Sequence, residues 1–181
     1  MRAFLGIEPP ICGPDLFYSL ATSFKEYCKA SFVKKENYHI TLFFFGEITN
    51  KTKDNIIEVL EQLDFEKIDI SLHGVGCFYK NNTPRVCFVE GRSEKLSILH
   101  NIIRKRFKIN KIHFDDKSLK IHLTLFRVKK VYSLEGFNNN INFINKNFKP
   151  LNFLIEHIIL YNSLLSSMGP TYKKIYQKRL T

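Results

Sequence analysis

The chain has 181 residues, 44% of them hydrophobic and 25% charged, a balance that fits one globular unit or two small lobes sharing a core and excludes a disordered polyelectrolyte. Lys and Arg outnumber Asp and Glu by 28 to 17, and the resulting formal charge of +11 attracts polyanions, nucleic acid first among them. No apolar run approaches the roughly 20 residues that span a bilayer, and Met1 to Glu8 turns acidic too soon for a secretory signal, so no membrane association and a cytoplasmic location are expected.

Ala3, Leu5 and Ile7 alternate with Phe4 and Gly6 before Pro9 and Pro10, which predicts an opening strand. Leu16, Leu20, Phe24 and Tyr27 recur at three and four residues, predicting a helix from about Asp15, its N-cap, to Lys29. Tyr38 to Phe45 is a dense β-branched and aromatic run closed by Gly46, and reads as a strand. A second helix follows over about Lys51 to Leu63, burying Ile56, Val59, Leu60 and Leu63. Ile68 to Phe78 and Arg85 to Glu90 read as a hairpin joined by the polar stretch Tyr79 to Pro84, with Gly74 and Gly76 marking an irregular strand. Ser93 opens a third helix with Leu96, Leu99, Ile102, Ile103 and Phe107 on its apolar face and Lys95, Arg104, Lys105 and Arg106 elsewhere.

Leu119 to Val128 is again strand-like, Asn138 to Asn147 is a weak helix or loop anchored by Phe137, Ile141 and Ile144, and two strands, Phe153 to Asn162 and Thr171 to Leu180, flank a turn at Gly169 and Pro170. Hairpins interspersed with helices give an α+β fold with antiparallel pairing rather than a doubly wound parallel sheet. Cys12, Cys28, Cys77 and Cys87 are scattered without a Cys-x-x-Cys pair, predicting reduced, buried thiols rather than a disulfide framework or a zinc site.

The chemistry is announced by a repeat. His39-Ile40-Thr41-Leu42-Phe43 and His122-Leu123-Thr124-Leu125-Phe126 are one pattern at two places, nearly half the chain apart. In a strand, residues i and i+2 share a face, so His39 accompanies Thr41 and His122 accompanies Thr124, while Ile40, Leu42, Leu123 and Leu125 face the core. One such histidine is adequately explained by packing on a half-exposed strand. Two copies are not, because packing does not require the histidine to recur with its scaffold.

If a pseudo-twofold axis relates the halves, both pairs face one cleft from opposite walls, as in-line displacement at phosphorus requires. One imidazole takes a proton from the attacking oxygen while the other gives one to the leaving oxygen, and Thr41 and Thr124 donate to the phosphoryl oxygens. Arg127, three residues after Thr124, would add a guanidinium fork if the strand bulges or ends there, since strict alternation points it away. His73, His100, His113 and His157 have no such partner and read as surface or satisfied core residues.

With these motifs the sequence resembles the two-histidine phosphoesterase superfamily, and within it the RNA 2',3'-cyclic phosphodiesterases also described as 2'-5' RNA ligases. The likeness extends to Arg2 to Ile7, Glu36-Asn37-Tyr38, Phe45-Gly46-Glu47, Pro84-Arg85-Val86, Arg127, Leu160 to Ser163 and Gly169 to Tyr172. It implies one domain over 1–181 made of two intertwined lobes, each with one motif: a bilobal, pseudo-twofold fold of two antiparallel sheets facing a central cleft, with helices outside.

It also implies conversion of a 2',3'-cyclic phosphate to a 2'-phosphate end, with His39 as proton donor, His122 as proton acceptor, Thr41 and Thr124 holding the phosphate, and Arg127 assisting. No cofactor or metal, and no obligate protein partner, is implied. The expected partner is RNA ending in a 2',3'-cyclic phosphate, tRNA fragments included. Lys120-Ile121 stands where the family usually carries a proline, so the ring of His122 is a point of difference. The basic third helix and the aromatics Tyr38, Phe45, Tyr79 and Tyr172 are candidates to hold RNA, the aromatics by stacking a terminal base. Three rivals remain at this level: a 2'-5' ligase acting on tRNA halves, a small cyclic-nucleotide phosphodiesterase and a non-catalytic RNA-end binding module.

Overall fold

The computed structural model describes residues 1–167 and 169–181. Nine strands and four helices are arranged in the order β1 (Arg2–Ile7), α1 (Gly13–Thr22), β2 (Cys28–Phe32), β3 (Ile40–Glu47), α2 (Asn50–Glu61), β4 (Ile68–Lys80), β5 (Thr83–Arg92), α3 (Glu94–Ile109), β6 (His122–Val131), α4 (Leu134–Asn147), β7 (Leu151–Ile155), β8 (His157–Ser166) and β9 (Gly169–Arg179). A single 3-10 turn, Lys35–Asn37, precedes β3.

The expected pair of facing sheets is not what forms. All strands join one curled antiparallel sheet in the order β7-β4-β5-β6-β3-β1-β8-β9, with the helices outside and β2 added on β6. The reason lies in one contact. β3 and β6, the motif strands, pair directly through Ile40 and Leu123, and this bridge fuses the five strands on the β6 side, β2 included, with the four on the β3 side. Beyond it the two strands part. β2 takes over the same edge of β6 from Phe126 to Val131, and the Val33 amide bonds the Leu125 carbonyl at 2.9 Å. A cleft opens on the concave side where β3 and β6 diverge.

The main core fills the space between sheet and helices. Ile40, Leu123, Leu125 and Phe126 are fully buried, as are Phe17 and Phe24 beneath α1 and Leu96, Leu99, Ile103 and Phe107 from α3. Each side chain of this size contributes roughly 1.5–3 kcal/mol on burial. Thr49, Ser93 and Ser133 cap α2, α3 and α4 with side-chain oxygens, as Ser93 was expected to do. α1 instead starts at Gly13, with Asp15 in its first turn, and stops at Thr22. The predicted helix to Lys29 overran into β2 because Phe24 and Tyr27 keep a helical spacing although each packs from a succession of turns.

The cysteine expectation also needs correction. Cys77 and Cys87 form a cross-strand disulfide between β4 and β5, Cys12 is exposed, and Cys28 alone is a buried thiol. The hairpin turns on Asn81 and Asn82, both with positive φ (51° and 57°), the backbone of a tight two-residue connection that asparagine tolerates. A bulge that skips Arg85 then shifts the register so that Cys77 meets Cys87.

Candidate functional site

The Ile40–Leu123 bridge is also the centre of the site. Antiparallel pairing about it sets His39 across from Thr124 and Thr41 across from His122, so each histidine faces the threonine of the other motif. Gly6 lies opposite Thr41 on β1, where a Cβ would stand 2.9 Å from the Ile40 carbonyl, so only glycine lets β1 approach this closely.

Both imidazoles are anchored alike. His39 Nδ1 lies 2.7 Å from the Asn37 carbonyl and His122 Nδ1 lies 2.7 Å from the Lys120 carbonyl, each two residues upstream. A carbonyl only accepts, so Nδ1 carries the proton in both rings and Nε2 is left for proton exchange. Lys120 in place of proline leaves this anchor intact. Asn37, itself buried, is held by donation from its side chain to the Pro170 carbonyl at 2.8 Å.

Two bulges complete the set. β3 skips Leu42 against β1, and β6 skips Leu125 against β5. Each inverts the alternation, so that Phe43 and Phe126 enter the core while Phe44 and Arg127 return to the concave face. This is one of the two conditions, a bulge or a strand end, under which Arg127 was expected to reach the site. Neither bulge contains glycine, and the sequence gives no local mark of them.

The cleft has a volume of about 620 Å³ and is lined by His39, Thr41, His122, Thr124, Arg127 and Tyr172 together with Arg2, Phe4, Ser31, Lys34, Asn37, Phe44 and Ser163. All six sequence-predicted site residues therefore converge. The described lining includes three cations, Arg2, Lys34 and Arg127, and no carboxylate, a composition suited to an anion. Among the described residues no group of three His, Cys, Asp or Glu side chains converges as a metal site.

Aromatic rings wall in each histidine. Phe4 packs on His39 at 4.7 Å between centroids and Tyr172 meets it edge-on at 4.9 Å, while Phe78 and Phe88 approach His122 at 5.4 and 5.3 Å. Burial pushes the pKa of His39 below the ordinary histidine value, assisted by the charge of His122. His122 is lowered too, by burial first and then by Lys120 and Arg127. Phe4, Phe78 and Phe88 were not anticipated; the placement of Phe4 beside Arg2 on the non-core face of β1 was the available signal.

Other RNA candidates do not reach the cleft. Tyr38 and Phe45 are buried, and Tyr79 is exposed but turned toward Asn138. Four of the five cations of α3 are engaged outside: Lys95 with Glu66, Arg104 and Lys108 with Asp116, and Arg106 with the Gln62 carbonyl. His100 is a satisfied core residue, stacked on Phe43 at 4.2 Å and bonded to the Leu42 carbonyl.

A curled antiparallel sheet presenting two reciprocal histidine–threonine pairs in a cation-lined cleft is the arrangement of the two-histidine phosphoesterases. The family described as LigT like Phosphoesterase matches residues 7–88. An RNA 2',3'-cyclic phosphodiesterase of Archaeoglobus fulgidus is 33% identical over 148 residues, 79% of this chain and 80% of the relative. Another, of Methanocaldococcus jannaschii, is 29% identical over 182 residues, 97% of this chain and 98% of the relative. The fold is shared with a Thermus thermophilus protein of known structure (TM-score 0.81, 23% identity, 99% and 98% of the two chains) and with E. coli LigT (TM-score 0.77, 17% identity, 99% and 97%). The chain belongs to the LigT-like phosphoesterase family. No helix among the described residues is long and apolar enough to cross a membrane.

Proposed function

We propose that this protein is an RNA 2',3'-cyclic phosphodiesterase that opens cyclic phosphate ends to 2'-phosphates by metal-independent acid–base catalysis. The observation that carries the reading is the matched anchoring of the two imidazoles, each presenting Nε2 from a ring fixed through Nδ1, beside Arg127 in a cleft lined by cations. The names of the relatives support the substrate class.

In this mechanism His122 Nε2 takes a proton from water as the water oxygen bonds to phosphorus. The bond from phosphorus to O3' breaks, and His39, protonated at Nε2, gives that proton to the leaving oxygen. One water is consumed, and the cycle ends with His122 charged and His39 neutral, so a proton must be exchanged with solvent before the next turnover. His39, packed between Phe4 and Tyr172, suits the donor that waits for substrate, because an anionic phosphate restores the proton that burial disfavours.

Thr41 and Thr124 donate to the non-bridging oxygens, Arg127 adds a charge-assisted fork, and Tyr172 borders the substrate beside His39. The strained five-membered ring and its alkoxide leaving group ask for proton management, which two histidines supply at about 10²–10⁴-fold for each transfer. Residues 1–181 act as one domain in which each half contributes one motif.

RNA as substrate supports a cytoplasmic site of action, whereas the Cys77–Cys87 bridge runs against it, because disulfides are rare in most cytosols. The proposal is tested by incubating the protein with matched RNA oligonucleotides ending in a 2',3'-cyclic phosphate or a linear 3'-phosphate. Conversion of the cyclic end alone is expected; binding of both without conversion would mark a non-catalytic end-binding module. Joined strands on adding 5'-hydroxyl RNA would show that the same site also accepts a 5'-hydroxyl in place of water.

A further inference from the structure

Arg127 has a counterpart on the other motif strand that is not an arginine. Phe44 stands on β3 where Arg127 stands on β6: each is five residues after its histidine and just beyond the bulge. The cation missing there is brought in by the neighbouring strand, because the Arg2 guanidinium from β1 lies over the Phe44 ring at 5.0 Å from its centroid. Arg2 and Phe44 both line the cleft.

Among the described residues Arg2 has no carboxylate partner. The acids flanking β1 are engaged otherwise, Glu47 with the Met1 amino group and Glu8 with Lys174. A guanidinium resting over a ring still has N–H groups to donate elsewhere, and a phosphate accepts two of them at once. A cyclic phosphate end carries a single negative charge, and in the proposed mechanism Arg127 already answers it. Arg2, like Lys34 in the same lining, is a charge beyond what a mononucleotide end requires.

The position suits the next phosphate along a strand. Arg2 is two residues from Phe4, on the same side of β1, so it lies a step of about 7 Å from the ring that packs on His39. That is close to the separation of adjacent phosphates along a single strand, which exceeds the axial rise of roughly 3.4 Å per base because the backbone winds around the axis. Resting on the phosphodiesterase reading above, we propose that Arg2, held by Phe44, binds the phosphodiester preceding the cyclic end and makes the cleft selective for an RNA strand over a cyclic mononucleotide. Phe44 holds the guanidinium in place and excludes water from one of its faces.

The test uses the whole protein and a dinucleotide ending in a 2',3'-cyclic phosphate, with its internal linkage either an ordinary phosphodiester or an uncharged methylphosphonate. The unsubstituted protein is expected to lose about tenfold in kcat/KM with the uncharged linkage, mainly through KM, the scale of one charge-assisted hydrogen-bonded contact. Arg2→Gln is expected to be about tenfold poorer on the charged linkage and to show no further loss on the uncharged one. An equal penalty for the uncharged linkage in both proteins, or none in the unsubstituted protein, overturns the role of Arg2 and leaves the phosphodiesterase reading standing. No turnover of either substrate by the unsubstituted protein overturns that reading, and this inference with it.

Discussion

His39 and His122 are held in the same way, each with Nδ1 2.7 Å from the carbonyl two residues before it, and each lies across the sheet from the threonine of the other's motif. The reciprocal arrangement makes the two rings equivalent in tautomer and leaves their surroundings to decide which gives and which receives the proton. Phe4 and Tyr172 enclose His39, and Phe78 and Phe88 flank His122.

Loss of either ring should abolish most activity without loss of the fold. His39→Ala and His122→Ala are each expected to lower kcat by about 10²–10⁴, the range for one proton transfer. Far-ultraviolet circular dichroism and thermal melting should show the sheet retained, since both side chains face the cleft. Near-parental turnover by either variant would remove that residue from the mechanism.

The pH profile should be displaced to the acid side. Burial lowers both imidazole pKa values from the ordinary 6.5. The donor loses its proton as pH rises through its lowered pKa, and the acceptor gains one as pH falls through its own. A bell-shaped kcat/KM with its maximum below about pH 6.5 follows, while bound phosphate raises the donor's pKa and carries the kcat profile to higher pH. Steady-state kinetics from about pH 5 to about pH 9 read both profiles, and a flat kcat/KM would end the two-histidine account.

The threonine hydroxyls should matter more than their shape. Thr41→Val and Thr124→Val preserve a β-branched side chain and remove the donor, so each is expected to reduce kcat by about 10- to 100-fold with a smaller change in KM. A change confined to KM would make the threonines ground-state contacts only.

His100 predicts an acid sensitivity of the fold itself. Its ring is buried, stacks on Phe43 and bonds to the Leu42 carbonyl at the β3 bulge, and burial holds its pKa below the ordinary value. Between that lowered pKa and about 6.5 the unfolded chain binds more protons than the folded one, so stability falls as pH drops through this window. Urea unfolding at about pH 7 and about pH 5 should show a smaller loss in His100→Leu than in the parent protein, although His100→Leu starts lower for want of the bond to Leu42. Equal losses would show that His100 takes up protons equally in the folded and unfolded chains.

Much of the site was legible because a strand alternates its faces. That alternation assigned Ile40, Leu123 and Leu125 to the core and the two His-Thr pairs to a common surface, where they are found. It also predicted that Arg127 needed a bulge or a strand end to face the site, but not that Leu125 forms a bulge, because a bulge without glycine depends on partner strands. The single sheet rests on the Ile40–Leu123 bridge, a pairing between residues far apart in sequence that leaves no local trace. The Cys77–Cys87 bond was hidden for a different reason, since the two lie only 10 residues apart within one hairpin. A hairpin turning on Asn81 and Asn82 pairs Cys77 with Cys87 only after Arg85 has been skipped. β2 is only five residues long and begins inside the stretch read as the end of the first helix, so it was not read as a strand.

The central claim is tested most directly by incubating the protein, in EDTA, with an RNA oligonucleotide ending in a 2',3'-cyclic phosphate and assigning the product phosphate by phosphorus NMR. The account predicts a 2'-phosphate formed at the same rate with and without EDTA. A 3'-phosphate product would reverse the assigned geometry of donor and acceptor, and turnover that stops in EDTA would contradict catalysis by two histidines alone.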